Sequence, residues 1–438
     1  MATFRTLRHP TTMYWEITDS CNHNCVHCFN YWRSDTQRSM PCAAPLRNEQ
    51  VELLLEKIIA AKPVKVVLTG GEPLAVWPRA RHLAQKLLER GIGVSFNTNA
   101  ALITDEMADF FRDNRISLFI SFPSAVEAEF DEITDTPGAY WRVISALELL
   151  HRKGVRFATN MVVSRVNLKS IFATAQFLNE RFDLTQISVT RVSEPVNARD
   201  RFGAYLLSAQ ELQSYTAQCV RISRELGMRV RAASPLTPCS LHDEDARALF
   251  GLQNSCEAGR SSCVVGATGA MRACVRDTTE YGNLLDEALS TIWARMQPWR
   301  EDTHIPAECG ECTHKLSCRG GCRVDRLSQY NVHHMLDRYS DPRRTYPEFC
   351  KTAEPLPQWG VHQAFSPVPT LKGDDEGFCV RVSSRYNATF CTPDFAEYLL
   401  HTPRFTVGEF CRRFDVDVDR GVEIIYQLYK SQLLLAEE

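Results

Sequence analysis

The chain has no apolar run approaching the roughly 18–20 residues that span a bilayer, and its N-terminus lacks a signal-peptide core of about 7–15 apolar residues. Those absences predict a cytoplasmic protein with no membrane partner. It also has almost no net charge. A formal value of -3 over 438 residues gives no electrostatic reason to expect nucleic acid or an anionic surface as partner. Disulfides are excluded in turn, because a reducing compartment keeps thiols free. Hydrophobic content is ordinary at 44%, and the length allows two or three domains of about 100–200 residues each. Cysteine is the exception to this plainness. There are 17, bunched as three near residue 25 and eight between Cys256 and Cys350. Bunched thiols in such a compartment read as metal ligands.

The first bunch, Cys21-Asn-His-Asn-Cys25-Val-His-Cys28, follows a predicted strand, Met13–Thr18. Three thiolates in so short a loop can converge on one metal centre. Zinc would take His23 or His27 to complete a Cys3His set. An iron–sulfur cluster would keep one iron open, able to bind and activate a ligand. From Met13 to about residue 230, short apolar runs (Met13–Thr18, Val64–Thr69, Gly93–Asn97, Ile116–Phe122, Phe157–Val163, Gln186–Val192) alternate with amphipathic segments. This predicts a parallel α/β layout, either an open doubly wound sheet or a full or partial (βα)6–8 barrel. Both put function at the carboxyl ends of the strands. There the sequence carries Gly70-Gly71-Glu72-Pro73 after the second strand, Asn97-Thr98-Asn99 after the third, Ser121 after the fourth and Asn160–Val163 at the fifth.

C-x3-C-x2-C followed one strand later by Gly-Gly-Glu resembles the radical SAM superfamily. The resemblance implies a partial (βα)6 TIM-type barrel over residues 1–235. It implies a [4Fe–4S] cluster on Cys21, Cys25 and Cys28 whose open iron chelates S-adenosylmethionine (SAM), and an electron that releases a 5′-deoxyadenosyl radical. By the same resemblance, Gly70, Gly71 and Glu72, with Pro73 behind them, hold the SAM amino group. Asn97, Asn99 and Ser121 contact the methionine carboxylate and ribose. Asn160 and His27 lie against the adenine; His27 stands where the family usually has an aromatic residue.

From about residue 251 the βα pattern stops. Cys309-x2-Cys312-x5-Cys318-x3-Cys322 is a metal-ligand spacing, compatible with a zinc ribbon or a pair of zinc knuckles. With Cys256, a spacer of twelve residues, Gly269-x4-Cys274 and a final Cys350, the run resembles the SPASM extension of some radical SAM enzymes, here residues 250–352. The resemblance implies two auxiliary iron–sulfur clusters of the [4Fe–4S] kind. Cys256, Cys263, Cys274 and Cys322 would hold one, and Cys309, Cys312, Cys318 and Cys350 the other. Without Cys263 the first would keep an open iron. Cys42, Cys219 and Cys239 fall outside every set and read as small apolar side chains. Asp277, shortly after Cys274, is the candidate general base. Sulfatase maturases share the SPASM pattern but carry aspartate directly after that cysteine, where this chain has Val275-Arg276.

Pro355–Gly373 is Pro- and Gly-rich and reads as a linker. Beyond it, two strand patterns (Phe378–Val382, Tyr386–Phe390) and three helical ones predict a small winged-helix domain over 375–438, with Thr406 and Glu409 as a capping box. Its last helix carries little basic charge, so nucleic acid is not expected. The pattern resembles the PqqD-like peptide-recognition domain, which implies that a leader peptide binds as an added strand. The sequence thus predicts a radical SAM/SPASM maturase. It would modify a residue of a ribosomally synthesised precursor peptide by crosslinking, oxidation or backbone chemistry, with electrons from a donor such as flavodoxin or ferredoxin. The alternatives are a formylglycine-forming enzyme of the sulfatase-maturase type and a zinc-stapled winged-helix DNA-binding protein.

Overall fold

The computed structural model describes residues 9–30, 45–194, 202–250, 256–301, 304–312, 314–330, 335–341, 357–367, 371–373, 378–381, 387–390, 393–430 and 433–437. It forms two compact units, Met1–Tyr346 and Pro347–Glu438.

The larger unit is built on one ten-stranded sheet. Seven strands run parallel in chain order: β1 (Thr12–Glu16), β2 (Lys65–Thr69), β3 (Gly93–Thr98), β4 (Ser117–Ser121), β5 (Phe157–Val163), β6 (Gln186–Arg191) and β7 (Arg229–Arg231). The intervening helices are α1 (Asn48–Ala60), α2 (Trp77–Glu89), α3 (Asp105–Asp113), α4 (Glu127–Thr134), α5 (Ala139–Arg152), α6 (Ile171–Phe182) and α7 (Ala209–Glu225). This is the predicted six-unit partial barrel, lengthened by β7. Its local logic is visible in α3. Thr104 caps the helix by accepting from the Met107 amide at 3.3 Å. Phe110 and Phe111 then turn inward against Trp77, each burial contributing about 1.5–3 kcal/mol.

The sheet does not end where the βα pattern stops. β8 (Ser262–Val265) pairs parallel with the other edge of β1, Met13 facing Cys263. β9 (Ala270–Arg272) and β10 (Gly282–Asn283) continue it antiparallel. The cysteine-rich segment is therefore woven into the barrel sheet. β1 lies between β2 and β8, so its backbone groups are paired on both sides, as burial demands.

Among the described residues the smaller unit holds two three-stranded antiparallel sheets, ordered Phe405–Thr406, Ala364–Pro367, Leu434–Ala436 and Leu371–Gly373, Phe378–Arg381, Asn387–Phe390. Three described helices accompany them: Pro393–His401, Val407–Phe414 and Val418–Lys430. Its core contains Phe365, Leu399, Phe405, Phe410 and Ile425, and the Thr406–Glu409 capping box forms. The stretch read as a linker differs from expectation. It supplies the strand Ala364–Pro367, with Trp359 edge-on to Phe365 at 4.7 Å. The buried Phe365, with Trp359 packed on it, outweighs the flanking prolines.

Candidate metal centres

The loop from Ile17 to Asn30 leaves the carboxyl end of β1 and carries Cys21, Cys25 and Cys28, all partly exposed. On one side it is tied to the end of α4. The Asn24 and Val26 amides donate to Thr134 O (3.0 Å) and Ile133 O (2.9 Å), and Asn24 Nδ2 to Asp135 Oδ2 (2.7 Å). On the other side it is pressed onto the turn after β2. A Cβ on Gly70, whose φ is +137°, would stand 2.1 Å from Thr18 O, and one on Gly71 2.1 Å from Ser20 O. Only glycine lets the two backbones approach so closely. The Gly71 and Glu72 amides donate to Thr18 O (2.8 Å) and Ser20 O (2.7 Å). An ammonium carries donors alone, so the carbonyls of this turn, not those two amides, are what a SAM amino group can use.

Glu72 is buried and fastens the neighbouring strand end. Its carboxylate accepts from the Leu74 amide (3.0 Å), Thr98 Oγ1 (2.6 Å) and the Asn99 amide (2.7 Å), while burial pushes its pKa up to about 7. Pro73 begins the short 3-10 turn that follows. Asn99, so oriented, donates to Asn22 Oδ1 at 2.8 Å and to Cys21 Sγ at 3.8 Å. Asn97 lies on β3 opposite Phe119. Ser121, exposed at the end of β4, faces Asn160 across the β4–β5 pair. Asn160 Oδ1 accepts from Thr190 Oγ1 at 2.9 Å, a structural engagement the sequence did not indicate. Burial lowers the His27 pKa to about 4, keeping the imidazole neutral; His23 is buried.

A second group of thiols comprises Cys256, Cys274 and Cys322. Burial raises all three, Cys274 and Cys322 to about 11. Each also feels the charge of another: Cys256 that of Cys322, Cys322 that of Cys274, and Cys274 that of Cys256. Cys263, expected with them, lies inside β8, fully buried, and burial raises its thiol. A third group holds Cys309, Cys312 and Cys318, and here Cys239 departs from expectation. Burial first, then the charge of Cys239, raises Cys309 to about 11 and Cys318 to about 12. Cys350 lies outside the described residues.

Buried arginines surround these thiols, unannounced by any motif. Arg276 donates to Cys322 Sγ at 3.6 Å and to Asp325. Arg191 bridges Asp325 (2.8 Å) and Asp337 (2.9 Å). Arg272 pairs with Glu16 and donates to Asp277 O at 3.0 Å. The one signal is the charge density of Arg323-Val-Asp325-Arg326 directly after Cys322. Asp277 is buried beside Cys274, and its carboxylate accepts from the Thr279 amide at 3.1 Å, a turn-forming contact.

Residues 15–178 match the Radical SAM superfamily, and residues 256–313 match an iron–sulfur cluster-binding domain, SPASM. The chain is 26% identical to the AdoMet-dependent heme synthase of Methanosarcina barkeri, over 72% of this chain and 91% of that one. It is 29% identical to the mycofactocin maturase MftC of Mycobacterium tuberculosis, over 74% and 81%. Its fold resembles that of Streptococcus suis SuiB bound to the precursor peptide SuiA, with a TM-score of 0.60 at 16% identity, covering 76% of each chain. Fold and thiols together define an enzyme that binds iron–sulfur clusters and SAM. The chain belongs to the radical SAM enzymes that carry a SPASM domain. The zinc-stapled alternative is thereby set aside.

The residues present fit those groups. Among the described residues no three His, Cys, Asp or Glu side chains crowd closely enough for a single ion. A cube of four irons instead takes each thiolate on a different corner, which suits thiols that are grouped but separate. SAM held at such a cluster supplies a 5′-deoxyadenosyl radical when an electron reaches it. Cys21, Cys25 and Cys28 would hold the cluster, the Gly70–Gly71 turn would orient the amino group, and Glu72 keeps the Asn99 side chain in place beside Cys21.

Proposed function

We propose that this enzyme is a peptide maturase acting in the cytoplasm, where thiols stay reduced. It abstracts a hydrogen atom from a residue of a ribosomally synthesised precursor and resolves the radical as a crosslink, an oxidation or a backbone change. The observation that carries the peptide reading is the second sheet of the smaller unit. Among the described residues, Asn387–Phe390 pairs with Phe378–Arg381 on one side only. An open strand edge of this kind accepts an extended leader by main-chain hydrogen bonding. The likeness to a maturase and to a fold bound to a precursor peptide supports the reading. The SPASM thiols support it too: a substrate radical that loses a proton must also lose an electron, and an auxiliary cluster can accept it. A reduced flavodoxin or ferredoxin would deliver the priming electron.

Formylglycine formation has less support. The position directly after Cys274 is Val275, and the next side chain, Arg276, turns to Cys322 and Asp325. The heme-synthase likeness favours a second reading, in which the substrate is a tetrapyrrole. Incubation of the reconstituted enzyme with SAM, a reductant and, in turn, any short peptide encoded beside its gene and a porphyrin precursor separates these. We expect 5′-deoxyadenosine and a mass change confined to the peptide, both lost when the leader is trimmed. An unaltered peptide beside a consumed porphyrin substrate would replace this reading with the second.

A further inference from the structure

The resemblance leaves Cys239 without a role, yet its surroundings are those of a ligand. After β7 the chain runs to a short turn, Pro238–Ser240, whose position is fixed from several sides. Ser240 N and Oγ donate to Thr237 O at 2.9 and 2.7 Å. Gln213 Nε2 donates to Ser240 O at 3.0 Å, and Thr237 Oγ1 meets Ser340 Oγ at 2.9 Å. The turn lies directly on the loop between Cys318 and Cys322. A Cβ on Gly321 would stand 2.6 Å from Thr237 Cγ2, and the Gly321 amide donates to Cys318 O at 3.0 Å.

Cys239, at the centre of this turn, is partly exposed, whereas Cys219 and Cys263 are fully buried among apolar side chains. It is no core filler. It lies close to both Cys309 and Cys318. The buried Arg326 guanidinium lies within electrostatic reach of the same two thiols. Four thiolates complete a cube, and Cys309, Cys312 and Cys318 supply three.

The geometry points to Cys239 as the fourth thiolate of the second auxiliary cluster, joining Cys309, Cys312 and Cys318. The last strand of the barrel thereby feeds directly into a cluster held otherwise by the SPASM segment. The assignment rests on the reading of two auxiliary clusters, and the test separates the two statements.

Wild type, Cys239→Ala, Cys239→Ser, Cys350→Ala and, as a control, Cys219→Ala are reconstituted anaerobically as full-length chains. Iron is counted and electron paramagnetic resonance (EPR) spectra are recorded with and without SAM. Wild type and Cys219→Ala should hold about twelve irons, at four per cube. Cys239→Ala should fall to about eight or show a three-iron signal, while the SAM-dependent change at the first cluster persists and reports an intact fold. Cys239→Ser, with an oxygen ligand, should keep the cluster with an altered spectrum, which a folding defect would not produce. Cys239→Ala with about twelve irons and a wild-type spectrum, beside Cys350→Ala at about eight, would overturn the assignment. A wild type with only about eight irons would remove the two-cluster reading, and this assignment with it.

Discussion

The two cysteine regions of the larger unit are assembled in opposite ways. The first set comes from one loop, three thiols between Cys21 and Cys28, held by backbone contacts to the strand and helix ends on either side. The later sets draw on separated segments around residues 239, 256, 274 and 309–322, and a layer of buried arginine–aspartate pairs packs around them. A local set depends on loop conformation. A dispersed set depends on tertiary packing, and each should fail in its own manner.

The largest effect is expected at the loop. Cys25→Ala should abolish 5′-deoxyadenosine formation and remove about four irons while leaving the SPASM irons in place; loss of all the iron would show the two regions to be interdependent. Next comes Asp325→Ala, which leaves Arg276 without its carboxylate partner and Arg191 with Asp337 alone. Burial opposes ionisation of Asp325, but Arg276 and Arg191 hold its pKa at about 2, below the ordinary 3.8. Its contribution is therefore fully present above pH 3.8 and is lost as pH falls through about 2. Breaking such a buried set costs about 3–5 kcal/mol, which thermal melts at neutral pH would register, with the dispersed iron lost before the loop iron. A smaller loss is expected for Gly71→Ala, whose Cβ meets backbone 2.1 Å away. About 1–3 kcal/mol of overpacking and weakened SAM binding by calorimetry should follow, without change in the SPASM iron. The smallest effect belongs to Cys263→Ala. It should keep all its iron and cost about 1 kcal/mol for a partly vacated core site; a lost cluster there would return Cys263 to the ligand set.

What could be read in advance follows the same division. Three thiols in one loop, and glycines where two backbones meet, leave a mark in consecutive residues. So do the strand–helix alternation and the Thr406–Glu409 cap. Spacing did not show that Cys263 lies in a strand, because that depends on β8 pairing with β1. Cys239 sits far from the run it approaches, and only the docking of its turn on Gly321 brings it there. The Glu16–Arg272 and Arg191–Asp325–Asp337 pairs are likewise products of packing between distant segments. In the smaller unit, proline and glycine around Ala364–Pro367 masked a strand that Trp359 and Phe365 secure.

The pairing of β8 with β1 has a further consequence, in time. Thr11 and Ser261, which close that seam, are 250 residues apart in the chain. At about 5–20 residues per second of synthesis, the outer edge of β1 waits on the order of 12–50 seconds for its partner. The strand that leads into the radical-generating loop is thus made long before its second edge is enclosed. During that interval its open edge is a site for wrong pairing with other chains.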